Sequence, residues 1–230
     1  MIYIKIKKLL KKPLINNKIA GIDDAGRGSI IGPLVIAGVL VSEKQSSILS
    51  ELGVKDSKSL SSTSRSQLYK KIIKTVNKVS VKKISPNKID IYVSKGEKYR
   101  KLNFLEAITM SSVINDLKPS ITYVDSPDVN VDRFSSQILS SLNVDSKVVS
   151  SHHADKLYIS VSAASIVAKY VRDLEISKLI KKHGDFGSGY PSDQKTIDFL
   201  SDWLVINGKI PKFARSSWKT WQRLLNTTLD

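Results

Sequence analysis

The sequence predicts an α/β protein, with one main domain and a small appendage. Short apolar runs beside glycine and proline are typical of buried strands, and they alternate with segments whose apolar residues recur at helical spacing. The chain has 230 residues, 41% of them hydrophobic, which is enough for one sizeable core. Since no apolar run approaches the ~20 residues of a membrane span, we expect no membrane association and a soluble, cytoplasmic protein.

The charge balance indicates a polyanionic partner. Lysine and arginine number 37 against 21 aspartate and glutamate residues, a formal net charge of +16. Such a surplus favours nucleic acid or an anionic membrane surface as partner, although a generally basic proteome would also produce it. The chain has no cysteine, which excludes disulfides and thiolate metal sites.

The first 18 residues mix apolar and lysine positions. Residues 2–6 suit an edge strand or a loose arm, and the uncharged stretches are too short for a signal peptide. The next two apolar runs, 19–22 and 34–41, predict strands that pair antiparallel through a glycine-rich turn.

Two adjacent acids, Asp23 and Asp24, end the first of these strands. Paired carboxylates at the mouth of a buried strand are costly unless positive charge compensates them. A divalent cation, which prefers oxygen ligands, would do so. The simpler alternative is a solvated strand end.

The glycines after the acids do not fit the common nucleotide-binding motifs. Gly26, Gly28 and Gly32 are spaced one residue too long for a dinucleotide fingerprint, and Pro33 opens a strand-like run where that motif needs a helix. No G-K-[ST] follows, so a phosphate-binding P-loop is excluded.

Helix and strand signals alternate from residue 46 to residue 93. Gly53 ends the first helical segment, and Ser61 or Ser62 is placed to cap the second. A polar loop that contains Lys58 lies between them. The predicted elements are a helix over 46–52, a helix over 63–77, a strand over 79–84, a turn at 85–87 and a short apolar run over 89–93.

A second strand that ends in an acid follows a helix. The spacing predicts a helix over 103–115, which Asn103 opens and, in the simpler interpretation, merely caps, and then a strand over 121–125 that ends in Asp125. A single acid at a strand end is usually a turn residue. Beside Asp23 in a similar setting, it becomes a candidate metal ligand.

A third acid, Asp155, precedes a long helix predicted over 161–182, where the positive end of the helix dipole favours a carboxylate. A helix over 134–142 and a strand over 146–150 come before it. The neighbouring His152 and His153 raise the possibility of zinc, but no other histidine lies near in sequence, so we do not favour it.

The last part of the chain predicts a shaped loop and a helix. Glycine and proline surround Tyr190, whose ring can either stack on a sugar or base or cap the core. Ser192 is placed to cap a helix that runs to about residue 206. Basic and aromatic residues interleave over 211–221, a weak nucleic-acid signal.

Five of these segments together resemble the ribonuclease HII family (type 2 ribonuclease H), and most of all its archaeal members. The similarity runs from about residue 18 to residue 221, with the motifs in the family's order. Asp24 departs from the family, which usually has glutamate there. The motifs are G-I-D-D-A-G-R-G-S-I-I-G-P at 21–33, D-S-K-x-L at 56–60, the asparagine at 103, A-D-K-x-Y-x-x-V-S-A-A-S-I-x-A-K at 154–169, and D-F-G-S-G-Y-P-S-D at 185–193.

The resemblance implies a ribonuclease H-like fold, in which helices flank a central mixed sheet. It implies a catalytic core over 1–184 and a C-terminal helical, substrate-binding part over 185–230.

The implied reaction is hydrolysis of the RNA strand of RNA–DNA hybrids and cleavage 5′ of single ribonucleotides in duplex DNA. Two Mg²⁺ or Mn²⁺ ions would act during catalysis, the products would carry 5′-phosphate and 3′-hydroxyl ends, and we expect a monomer. The resemblance implies that the catalytic, metal-binding acids are Asp23, Asp24, Asp125 and Asp155.

Substrate recognition is also implied by the resemblance. The backbone of Gly26, Arg27 and Gly28 would read the 2′-hydroxyl, and Tyr190 would stack on the next sugar. Lys58 and Lys169 would contact phosphates.

Two other hypotheses remain open at this point. One is a different two-metal nuclease on the same fold, such as a resolvase or integrase core. The other is a basic nucleic-acid-binding protein without catalysis, which only the unusual Asp24 supports.

Overall fold

The protein is built on a five-stranded mixed sheet. The computed structural model describes residues 18–54, 60–95 and 101–227. The strand order is β3-β2-β1-β4-β5, where β1–β2 and β2–β3 are antiparallel and β1–β4 and β4–β5 are parallel. The strands are β1 (Ile19–Ala25), β2 (Leu34–Val41), β3 (Lys78–Ile84), β4 (Ile121–Asp125) and β5 (Lys147–Ser151).

Helices cover both faces of this sheet and form the C-terminal part of the chain. They are α1 (Glu43–Glu51), α2 (Ser62–Thr75), α3 (Pro86–Lys95), α4 (Leu102–Leu117), α5 (Val131–Leu139), α6 (Ala154–Leu157), α7 (Ile159–His183), α8 (Gln194–Asn207) and α9 (Thr220–Thr227). The predicted α/β class and ribonuclease H-like architecture are confirmed. No helix of the described ranges is both long and apolar enough to cross a bilayer.

Alternation along the strands divides the core between the two faces. Side chains of successive strand residues point to opposite faces. Even-numbered residues of β1, such as Ile22, pack with α4 and α5, whereas Ala25 packs with α1, α2 and α7. All eight residues of β2 are buried, because its side chains meet helices on both faces.

The close contact between β1 and α7 depends on glycine. A Cβ added to Gly21 would lie 2.1 Å from the backbone carbon of Ser160, so only glycine allows this approach. The small residues at the start of α7 are buried against the sheet. This packing fixes the first turns of α7 beside the end of β1, where the paired acids lie.

A third apolar cluster joins the C-terminal segment to the rest of the molecule. Ile30 and Ile31, which follow the glycine-rich turn, pack with Phe186, Leu200 and Trp221. The part after residue 184 therefore rests directly on the chain that carries the first motif. The division into a core and a substrate-binding part stays a prediction.

Several predicted boundaries are wrong. Residues 86–95 form a helix, α3, where we expected a turn and an apolar run. Ser85 Oγ accepts a hydrogen bond from the Lys88 N–H at 3.3 Å, and proline is well suited to the first helical position after such a cap. We had treated Pro86 only as a turn residue.

Two predicted caps are also wrong. Lys101, not Asn103, is the N-cap of α4, and it forms no side-chain capping bond. Asp193, not Ser192, caps α8, accepting a hydrogen bond from the Lys195 N–H. Residues 2–6, for which we expected a strand or an arm, lie outside the described ranges.

Candidate active site

Two acids meet at the carboxyl ends of neighbouring parallel strands. Ile22 of β1 pairs with Val124 of β4, so Asp23 and Asp125 come next on adjacent strands. Ile22 and Val124 share one core cluster, and strand alternation therefore directs Asp23 and Asp125 toward the opposite, α7 face. Asp23 is hydrogen-bonded to Ser165 of α7.

The third acid is brought to this edge by a short helix. Asp125 Oδ1 accepts a hydrogen bond from the Ala154 N–H at 2.7 Å, at the start of α6. His153, the N-cap, has a left-handed φ of 55°, an uncommon conformation for histidine that turns the chain into α6. Asp155 is the next residue. It lies inside α6 and not ahead of a single long helix, as we had expected.

The side chain of the fourth acid, Asp24, points to the other face of the sheet. Asp24 is partly exposed, and its electrostatic neighbours are Glu106, Arg27, Asp125 and Arg215. Glu106 is fully buried in α4, which confirms that Asp24 points toward the α4 face. Asp23 and Asp24 are therefore adjacent in sequence but approach the strand end from opposite sides.

The acids carry more negative charge than the surrounding groups compensate. Burial raises the pKa of Asp23 well above its usual value, and the charges of Asp24 and Asp125 add to the effect. Burial, with the nearby Glu106, raises the pKa of Asp24 to about 8. A divalent cation at this edge would favour the ionised acids and lower these pKa values.

The residues present suit a hard divalent cation, because their ligand atoms are carboxylate oxygens. No group of three or more His, Asp or Glu residues in the described part of the chain has a ready-made metal-binding arrangement. The carboxylates would thus complete a ligand set only as they reorient around an ion. His183 packs against Phe213, with ring centroids 4.2 Å apart, away from the histidine pair.

The glycine-rich turn lies beside these acids, and its two glycines differ. Gly26 has a φ of 84°, and an added Cβ would lie 2.6 Å from Arg172 Cδ and 2.9 Å from the Pro33 carbonyl oxygen. A Cβ on the exposed Gly28 would meet only Tyr190, at 4.0 Å. Gly26 is therefore required by the fold, whereas Gly28 leaves open space in front of Tyr190.

The predicted binding residues share one cavity of about 410 Å³, which we call the acid cavity. It brings the end of β1 and the glycine-rich turn together with the distant Lys169 and Tyr190. Lys58 lies outside the described residues. The lining residues are Asp24, Ala25, Gly26, Arg27, Gly28, Arg65, Lys169, Arg172, Asp173 and Tyr190.

Comparison with known proteins shows to which family the chain belongs. The family model described as Ribonuclease HII matches residues 20–221. Ribonuclease HII of Pyrococcus abyssi is 44% identical over 209 residues, which cover 90% of this chain and 91% of that protein. The chain belongs to the ribonuclease HII family. It is an enzyme, a metal-dependent endoribonuclease.

Solved structures agree with this assignment. The crystal structure of ribonuclease H2 from Pyrococcus horikoshii has a TM-score of 0.84 and 40% identity, and the match covers 93% of this chain and 99% of that one. The ribonuclease HII solved in a complex with PCNA from Archaeoglobus fulgidus has a TM-score of 0.79 and 42% identity, with 88% and 95% covered.

The structure of this ribonuclease HII family member adds a residue that sequence patterns did not single out. Arg215 is fully buried, and its guanidinium donates hydrogen bonds to the carbonyl oxygens of Gly26 at 2.6 Å, Arg27 at 2.6 Å and Gly32 at 3.2 Å. We had placed it among the basic and aromatic residues of a surface signal. That interpretation is wrong for Arg215 and also for the buried Trp221.

The Arg27 side chain is held on the other side of the turn. Its Nη2 donates to Asn103 Oδ1 at 2.6 Å, and its Nε donates to Glu106 Oε2 at 3.1 Å. Burial raises the pKa of Glu106 to about 7 despite the opposing charge of Arg27. Asn103 therefore positions the glycine-rich turn and does not cap a helix.

Arg172 holds the loop that contains Ser188 and Tyr190. Its guanidinium carbon lies 4.5 Å from the centre of the Tyr190 ring, and its Nη2 donates to the Ser188 carbonyl at 3.0 Å. Tyr190 is half-buried, so it is neither free nor part of the core. The stacked cation leaves part of the ring exposed toward the acid cavity.

Proposed function

We propose that this enzyme hydrolyses the RNA strand of RNA–DNA hybrids and cuts 5′ of single ribonucleotides in duplex DNA. The observation that carries the proposal is that Asp24, the open backbone at Gly28 and the ring of Tyr190 line one cavity, beside the acids that end β1 and β4. A backbone group pairs with a 2′-hydroxyl whatever the base, and that hydroxyl alone distinguishes RNA from DNA.

In this proposal Asp23, Asp24, Asp125 and Asp155 hold two Mg²⁺ or Mn²⁺ ions. Such ions supply an activated water and stabilise the leaving oxygen, so that the products carry 5′-phosphate and 3′-hydroxyl ends. Hard cations of this kind match an all-carboxylate ligand set.

In this proposal, different residues contact the 2′-hydroxyl, the next sugar and the phosphates of the substrate. The backbone of Gly26, Arg27 and Gly28 contacts the 2′-hydroxyl, and the exposed part of Tyr190 stacks on the next sugar. Lys169, which lines the same cavity, contacts a phosphate, as does Lys58. Since the residues of the acid cavity come from one chain, we also propose that the enzyme acts as a monomer.

The test is cleavage of end-labelled duplex DNA that contains one ribonucleotide, with an all-DNA duplex and an RNA–DNA hybrid in parallel. We expect cuts 5′ of the ribonucleotide and within the hybrid only when Mg²⁺ or Mn²⁺ is present. The fragment ends are identified by mass. Equal cleavage of the all-DNA duplex, or cleavage that persists in excess EDTA, would contradict the proposal.

A further inference from the structure

A second and larger cavity adjoins the glycine-rich turn. It encloses about 560 Å³, and we call it the Trp218 cavity. None of the residues assigned to catalysis or binding above lines it. Its lining residues are Val93, Lys101, Leu102, Asn103, Asp128, Arg133, Ser217, Trp218, Lys219 and Thr220.

Two hydrogen bonds connect this cavity to the turn. Trp218 Nε1 donates to the Gly28 carbonyl oxygen at 3.3 Å, and Asn103 Oδ1 accepts from the Arg27 guanidinium at 2.6 Å. The Gly26–Gly28 turn lines the acid cavity, and these two bonds join it to residues that line the Trp218 cavity. A long ligand that fills the acid cavity and extends past the turn would reach the Trp218 cavity next.

The charge of the cavity is positive. Among the described residues that line it, Asp128 is the only acidic one; it is 2% exposed and binds both Arg133 and Asn103. Burial acts to raise the pKa of Asp128, but the hydrogen bonds outweigh it and hold the pKa below its usual value. Lys101 and Lys219 are both exposed, and neither forms an ion pair with another residue of the described ranges.

The shape and chemistry suit a sugar–phosphate backbone. Val93, Leu102 and the half-buried Trp218 supply an apolar wall against which a sugar can pack, and the lysines supply mobile point charges for a phosphate. No side chain caps the N-terminus of α4 at Lys101, so backbone N–H groups there add to the positive field. A small apolar ligand would gain nothing from these charges.

We propose that the Trp218 cavity is a second nucleic-acid subsite, which binds a backbone phosphate of the duplex that flanks the cleaved ribonucleotide. The inference rests on the proposed function, because it assumes a duplex that enters by the acid cavity. Its consequence is that Lys101 and Lys219 set how tightly the duplex is held.

The first test measures duplex binding against salt concentration in EDTA, where no cleavage occurs. The variant is the double replacement Lys101→Ala and Lys219→Ala. We expect weaker binding and a slope of log Kd against log salt that is smaller by about 0.9 for each phosphate that the variant no longer neutralises. The matched control is Lys44→Ala with Lys74→Ala, since these lysines are exposed on α1 and α2 and line neither cavity.

The second test locates the phosphate. Methylphosphonate linkages, which are neutral, replace one phosphate at a time on both strands of the one-ribonucleotide duplex. At one or two positions outside the cleaved linkage, the wild type should bind more weakly, whereas the affinity of the Lys101→Ala, Lys219→Ala variant should hardly change further. Such non-additivity is the signature of a direct contact.

The outcomes separate this proposal from the proposed function. If the duplex is cut at the ribonucleotide but the double variant matches the control in salt slope, and no methylphosphonate position is non-additive, the subsite is refuted and the activity stands. If no ribonucleotide-specific cleavage occurs in the wild type, the proposed function fails first. A salt-slope change with additive methylphosphonate effects would also refute a specific phosphate subsite.

Discussion

At the scale of single residues, the alternation of side chains along β1 places the neighbouring acids Asp23 and Asp24 on opposite faces of the sheet. Asp23 and Asp125 face α7, whereas Asp24 faces α4 and the buried Glu106. In the proposed site, Asp24 would have to share an ion with the other acids from the opposite side of the strand end. Aspartate is one methylene shorter than the glutamate that the family usually has here, so a metal role for Asp24 would require a small shift of β1 or of the ion.

The contribution of Asp24 is testable by substitution. We expect Asp24→Ala to lose orders of magnitude in rate, because water cannot replace a charged ligand at equal strength, and Asp24→Glu to retain substantial activity. Single-turnover cleavage of a one-ribonucleotide duplex at saturating Mg²⁺ or Mn²⁺ measures this. An alanine variant as fast as the wild type would reduce the catalytic set to three acids.

Asp23 and Asp125 should be indispensable. Either Asp23→Asn or Asp125→Asn removes a charge at the strand ends and keeps the shape, so we expect cleavage to be abolished while duplex binding persists. Gel-shift binding and cleavage are measured on the same preparations, with Asp132→Asn in the exposed first turn of α5 as control. Most of the wild-type activity in either variant would refute the assignment.

At the scale of elements, the C-terminal segment after residue 184 supports the glycine-rich turn through Arg215, which we call the brace of the turn. Arg215 inserts a buried guanidinium beneath the turn and binds three of its flanking carbonyls. Burial lowers the pKa of Arg215 to about 10, which still leaves it charged at neutral pH. With those carbonyls bound by Arg215, the remaining backbone groups of the turn are held in one orientation.

Replacement of this brace should affect both stability and recognition. Lysine cannot reproduce the fork of donors, so we expect Arg215→Lys to lower the free energy of unfolding by about 3 kcal/mol. The preference for a ribonucleotide over a deoxynucleotide duplex should also fall. Urea unfolding and paired binding assays measure the two effects, with the exposed Arg223→Lys in α9 as control. A destabilised variant with unchanged discrimination would show that the brace serves folding alone.

At the scale of the whole molecule, the protein buries more negative charge around its active site than the metal-free fold can neutralise. The raised pKa values of Asp24, about 8, and Glu106, about 7, mean that the native state binds protons more tightly than the unfolded chain. The contribution of these two groups to stability is fully present below the ordinary carboxyl pKa and is lost as the pH rises through about 7 to 8. A divalent cation bound by these acids would oppose that trend, because it would favour their ionised form.

This linkage predicts how metal-free stability varies with pH. In EDTA, the urea midpoint of the wild type should fall between pH 5 and pH 8.5, and Asp24→Asn or Glu106→Gln should each flatten that fall. Mg²⁺ should restore stability mainly at the high-pH end. Glu51→Gln, at the exposed end of α1, is the control. A wild-type midpoint that rises over this range would contradict the raised pKa values.

The amino-acid sequence alone determined the class of fold, the strands and their acids. Apolar runs that end in Asp23 and Asp125 are local patterns, and β1 and β2 could be located because burial on both faces leaves a continuous apolar segment. The helix at 86–95 was missed because proline is compatible with both a turn and a first helical turn, and only the Ser85 hydrogen bond distinguishes them.

Only the tertiary structure decided how the site is assembled. Arg215 and the turn that it braces are 188 residues apart, and a charged residue in a basic tail is usually solvent-exposed, so no local signal marks it as buried. The same holds for Asn103, whose partner is Arg27 and not the helix end. Sequence patterns specify what each segment tends to form, whereas the partners of a buried polar group depend on which segments the packed core brings together.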